Sequence, residues 1–251
     1  MSLFKSSNPT LKDSVFEKVR YDVSSEQMTV SGTLNKFGIT LLLMVAAAAY
    51  TWKGFYEGAN IMPYLFGGII VGLIAALVII FKPTWSPYLV PVYALAEGLF
   101  LGGISAFFND AFATKAPGIV MQAVGLTFGV VLAMFLLYRS GIIRATESFK
   151  KIVFVATAGI AVFYVIAFVL RFFSIQMPLI HDSTPMGIVF SLIVVAIAAM
   201  NLILDFDFIE RGSEQGAPKY MEWYGAFGLM VTIVWLYLEI LRLLAKLADR
   251  K

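Results

Sequence analysis

The run MPYLFGGIIVGLIAALVIIF, residues Met62 to Phe81, decides what kind of protein this is. It carries no Asp, Glu, Lys, Arg or His. At a rise of 1.5 Å per residue a helix of this length spans about 30 Å, the thickness of the bilayer hydrocarbon. Hydrocarbon offers no partner for backbone N–H and C=O groups, so a chain that crosses it does so as a helix that satisfies its own backbone. On either side lie six further apolar runs, Phe37–Trp52, Tyr88–Phe108, Pro117–Tyr138, Ile152–Phe173, Met186–Leu204 and Trp223–Leu247. The expected architecture is an all-α integral membrane protein with seven transmembrane helices in residues 37–251, after a polar N-terminal segment, residues 1–36.

Composition agrees with that reading. Of the 251 residues, 60% are hydrophobic and only 14% charged, with mean hydropathy +0.84. A soluble domain carries about a quarter charged residues, so much of this surface is expected to face lipid. Loops between the runs are short, which leaves no room for a second soluble domain or a nucleotide-binding fold, and no nucleic-acid partner is expected. The absence of cysteine excludes a disulfide framework, a thiol nucleophile, an iron–sulfur cluster and a cysteine-ligated zinc site. His181 is the single histidine, which excludes a multi-histidine metal centre or a bis-histidine haem. It lies beside Asp182 in the fifth connection and reads as a loop residue. No metal site and no resident cofactor are expected. Without a hydrolase elbow, a Walker loop or a zinc-binding helix, the chain does not read as an enzyme.

Prolines punctuate the connections: Pro83, Pro87 and Pro91 around the second, Pro117 before the fourth helix, Pro178 and Pro185 around the fifth connection, Pro218 in the sixth. A residue without a backbone donor is favoured in a first helical turn, so all of them are expected at helix entries. Trp52, Trp85, Trp223, Tyr88, Tyr138 and Tyr224 fall near the expected membrane interfaces. Residues 1–36 lack the pattern of a cleavable signal, and the first apolar helix is expected to direct its own insertion.

Basic residues set the orientation. Lys5, Lys12, Lys18, Arg20, Lys36, Lys82, Arg139, Arg144, Lys150, Lys151, Arg211 and Lys219 fall on one side of a seven-span layout, and only Lys53, Lys115 and Arg171 on the other. Lys and Arg are retained in the cytoplasm, so the N-terminus is expected there. The tail, with Arg242, Lys246, Arg250 and Lys251, then lies outside, unless the last segment is re-entrant and turns back within the membrane.

Ionisable side chains away from the helix ends are the informative ones, because a charge at the bilayer centre costs at least about 2.5–3.5 kcal/mol. Glu97 lies about 13 Å into the third helix, with no basic residue within a turn. It must be protonated, paired across helices or turned to a water-filled cavity. Glu239 lies about 24 Å along the last helix, three residues before Arg242. It is either half of a local ion pair or part of an ion path. Asp205, Asp207, Glu210 and Arg211 close the sixth run. A spacing of two puts Asp205 and Asp207 on different faces, so one of them, with Asn201 a turn deeper, can serve a pocket. The alternative is an interfacial acidic turn paired with Arg211 or Lys219. Glycines inside the helices, Gly67-Gly68, Gly102-Gly103, Gly125 and Gly129, are expected to let helices pack closely.

Four blocks together are similar to one known family. They are Asn201-Leu202-Ile203-Leu204-Asp205-Phe206-Asp207-Phe208-Ile209-Glu210-Arg211-Gly212 with Ala217-Pro218-Lys219-Tyr220-Met221-Glu222-Trp223-Tyr224, then Glu97-Gly98-Leu99-Phe100-Leu101-Gly102, Tyr138-Arg139-Ser140-Gly141-Ile142-Ile143-Arg144, and the closing Leu236-Tyr237-Leu238-Glu239-Ile240-Leu241-Arg242-Leu243-Leu244. From Asn8 onward the chain resembles the Bax inhibitor-like (YccA-like) transmembrane family, in its bacterial branch. The resemblance implies a seven-helix fold whose last helix is wrapped by the other six, placed in the bacterial cytoplasmic (inner) membrane. It further implies a pH-sensitive calcium leak, in which Ca2+ is the transported ion. That leak uses one aspartate late in the sixth helix and another in the first half of the seventh, which share a proton and are latched by an arginine.

Carried across, Asp205 matches the first aspartate, with Asp207 as a substitute. The second has no match in Gly225–Thr232, and the second helix has no arginine, so Lys82 and Arg139 are the basic stand-ins at the inner ends. Glu97, Glu239, Asp205 and Asp207 are therefore the ion-path or gate candidates, and Lys82, Arg139 and Arg242 the latch or pairing candidates. The competing function implied by the resemblance is a regulatory binding protein, partnered with a membrane-bound AAA protease through the polar N-terminus and acidic turn, without transport.

Overall fold

The computed structural model describes residues 26–173, 177 and 182–250. Among them are seven helices long and apolar enough to cross a membrane. They are α1 Val30–Tyr56, α2 Met62–Phe81, α3 Ser86–Ala111, α4 Ile119–Arg139, α5 Glu147–Phe172, α6 Pro185–Glu214 and α7 Met221–Asp249. The polar segment before Glu26, His181 and Pro178 lie outside the described residues.

Local chemistry sets the helix starts. Thr29, extended at φ −127°, caps α1 by accepting the Gly32 N–H at 3.0 Å. Thr146 caps α5 in the same way through the Phe149 N–H. Each cap satisfies a donor that the first helical turn would otherwise leave unpaired. The cap at Thr29 places the start of α1 well before Phe37, because the polar stretch up to Lys36 is already helical. Pro63 opens α2, where its missing N–H costs nothing.

Two expectations are corrected. Pro91 is inside α3 rather than at its entry. Neighbouring helices and local adjustment tolerate such a break in a transmembrane helix. The sixth helix does not end near Leu204 but continues to Glu214, so Asp205 is nine residues before its end and outside the carbonyl end of the helix dipole. The last segment is one unbroken helix of 29 residues, about 43 Å long, with no re-entrant break.

The described residues form two compact units. One contains α1, α2 and α3 with Asp207–Val231, and the other contains Phe112–Phe206 with the chain from Thr232 on. Helices α6 and α7 run through both. In the first unit α3 packs against α1 and α2 through glycine. A Cβ at Gly98 or Gly102 would strike the backbone of α1 at Met44 or Ala48, and one at Gly68 would strike the Ala96 carbonyl. Tyr93 meets Phe227 edge to face at 5.0 Å. In the second unit Phe206 packs on Phe135 and Tyr138, and Phe163 on Phe190. Burial differs sharply between helices: 67% of the apolar window of α7 is buried but only 11% of that of α5. Leu42, Phe66, Phe168 and Met121 are exposed, as lipid-facing side chains are.

Candidate functional site

The polar groups that matter are those enclosed within the spans, since each needs a partner or a purpose there. In the second unit they gather on the C-terminal half of α7. Glu239, 2% exposed, is held by Arg242 Nη1 at 2.8 and 2.9 Å from its two oxygens. The Tyr164 hydroxyl of α5 donates to Glu239 Oε1 at 2.9 Å and accepts from Arg242 Nη1 at 2.8 Å. The guanidinium also lies over the Tyr164 ring, 5.4 Å from its centre. Glu239 and Arg242, three residues apart on one helical face, thus form a closed triad with Tyr164. One turn on, buried Lys246 donates to the Gly187 carbonyl of α6 at 3.0 Å, and near the helix end Asp249 pairs with Lys115.

Asp205 is fully buried on α6 in the same unit. One turn earlier buried Asn201 donates to Thr157 Oγ1 at 2.9 Å and to the Ile197 carbonyl at 2.8 Å, which ties α6 to α5. Asp207 has turned to another face and pairs with Arg211 one turn on, Nε to Oδ2 3.0 Å. The pairing of an acidic residue with Arg211 is therefore local. Arg139 is exposed in the last turn of α4, where a cation complements the carbonyl end of the helix. Lys82 is exposed and sits over the Trp85 ring at 4.8 Å.

Glu97 belongs to the first unit, half-buried where α3 faces α2, and a Cβ on Gly72 would come within 3.1 Å of its Oε2. No described side chain hydrogen-bonds or ion-pairs with Glu97.

One buried carboxylate stands outside the expected sites. Glu222, in the first turn of α7 and fully buried, accepts the Thr29 N–H at 3.0 Å and the Thr29 hydroxyl at 2.9 Å. Lys36 Nζ of α1 lies 3.1 Å from its Oε2 and Lys219 Nζ 3.3 Å from its Oε1. The spacing of Lys219 and Glu222 is legible in the sequence as a helix-turn pair. The partners Thr29 and Lys36, nearly two hundred residues away, are not.

Seven apolar helices with carboxylates enclosed between them define a multi-pass helical membrane protein with a buried acidic and basic network. The chain matches the family described as Bax inhibitor 1 like over residues 8–249 and belongs to that family. No curated protein and no solved structure shows significant similarity to it.

Proposed function

We propose that this protein is a passive, pH-sensitive cation leak of the cytoplasmic membrane, with calcium as the transported ion and the N-terminus in the cytoplasm. The observation that carries the reading is the enclosure of Asp205 and Glu239, 0% and 2% exposed, within spans of one compact unit. Carboxylates are costly in that setting and mark ion pathways when retained. A hard cation takes several oxygen ligands, and Asp205, Glu239, Asn201 and the Tyr164 hydroxyl are oxygen donors of that kind. The family resemblance supplies the ion and the pH response. In the closed arrangement Arg242 and Tyr164 occupy Glu239.

The test is calcium entry into liposomes that contain the purified protein, measured from neutral to acidic pH. The parent is expected to leak more as the pH falls. Asp205→Asn is expected to leak constitutively with little pH response. A parent protein whose flux equals that of empty liposomes at every pH overturns the leak, and a mutant that keeps the parent's full pH response removes Asp205 from the gate.

A further inference from the structure

The start of α1 and the start of α7 are fastened to each other in a way that the leak does not require. Immediately before α1 the chain lies antiparallel to the α6–α7 turn. The Met28 N–H donates to the Ala217 carbonyl at 2.7 Å, the Lys219 N–H donates to the Glu26 carbonyl at 2.9 Å, and Gln27 stands opposite Pro218. Beneath this two-stranded contact lies the Glu222 carboxylate, which takes both Thr29 donors and sits between Lys36 and Lys219. Lys36 also lies over the Trp223 ring at 5.9 Å, and Lys219 reaches Glu26 at 3.7 Å. A Cβ at Gly32 would occupy the space of the carboxylate, so Gly32 is what lets α1 approach it.

We propose that Glu222 is the pin of a charge-dependent latch that holds the α6–α7 turn and the first turn of α7 against the start of α1. The asymmetry of exposure gives it the character of a latch. The Glu222 side chain is fully buried, whereas those of Lys36 and Lys219 are 26% and 42% exposed. The lysines can be drawn away from their open side, and the carboxylate then remains as a buried, uncompensated charge, which is strongly unfavourable. The turn therefore stays docked with its cations or leaves, and there is little stability in between. The four donors come from α1, its cap residue and the α6–α7 turn, so removal of the one negative charge weakens all four contacts together, those of the two lysines most.

The chain has no cysteine, so a pair can be introduced without background. Residues opposite each other between widely spaced antiparallel hydrogen bonds have Cα atoms about 4.5 Å apart, within reach of a disulfide. The experiment uses full-length Gln27→Cys with Pro218→Cys in membranes. Disulfide formation under mild oxidation is followed by counting free thiols with a mass-tagging maleimide after denaturation. The cysteine pair is expected to close rapidly. Adding Glu222→Gln is expected to slow closure by about tenfold or more, the loss expected for a charged hydrogen-bond partner. Because Glu222→Gln can compromise folding, Lys36→Gln, which removes only one cation, is measured beside it and is expected to slow closure to a smaller degree. Slower closure in both variants supports the latch. A pair that fails to close in the parent, or closure at the parent's rate in either folded variant, overturns it.

Discussion

Glu239 and Arg242 are three residues apart on α7, and that spacing alone puts them on one face. The sequence therefore shows that they can meet. It does not show that Tyr164 of α5 completes the arrangement by donating to the acid and accepting from the base. The triad has a definite energetic order. Tyr164→Phe deletes a hydroxyl that serves two charged partners, and is expected to cost about 1.5–3 kcal/mol. Arg242→Met leaves Glu239 buried with only the tyrosine, and is expected to cost more, since the unpaired buried charge is the larger penalty. Glu239→Gln, which keeps a hydrogen-bonding amide beside Arg242, is expected to cost less than Arg242→Met. Thermal unfolding of the three variants in detergent checks the ranking. A Tyr164→Phe protein as stable as the parent shows that the hydroxyl contributes nothing. The same periodicity separates Asp205 from Asp207: Asp205 is buried, and Asp207 faces Arg211.

At the scale of elements, glycine has two different meanings that the sequence does not separate. Gly68, Gly98, Gly102 and Gly103 lie where a Cβ would strike a neighbouring helix, whereas Gly67, Gly125 and Gly129 have nothing within 4 Å. Only the first set supports close packing of helices. Gly102→Ala is expected to destabilise by about 1–3 kcal/mol, because the added methyl meets the rigid backbone of α1 at Ala48. Gly125→Ala meets open space on α4 and is expected to be neutral or stabilising by up to about 1 kcal/mol, through its better helix propensity. Melting temperatures of the pair decide the point, and equal losses in both overturn the distinction. Helix ends were legible where a side chain announces them, as at Pro185. They were not legible at Glu214, because α6 continues as a helix through residues that are no longer apolar. Hydropathy reports the solvent and the backbone pattern does not follow it. Pro91 likewise reads as punctuation and sits inside α3.

At the scale of the whole molecule, seven apolar spans among the described residues lead to the expectation that the flanking segments lie on opposite sides of the membrane, and the distribution of basic residues favours a cytoplasmic N-terminus. Reporter fusions ahead of Glu26 and after Arg250 are expected to report opposite compartments, with the first in the cytoplasm. Two fusions in the same compartment overturn the seven-span topology. The sequence by itself determined the class of protein, the number of spans and the family, because long uncharged runs have a single low-energy form in hydrocarbon and the acidic block of α6 and the start of α7 is a contiguous string. It also brought forward the acids that the membrane penalises. What only the tertiary structure decided is which of those acids has a partner and where that partner comes from. Tyr164 reaches Glu239 across 75 positions and Thr29 reaches Glu222 across 193. Such pairs carry no periodic signal, because helix periodicity fixes a face and not the neighbour that will cover it. For Glu222 the sequence offers only the local partner Lys219, and its burial follows from the approach of α1 at Gly32.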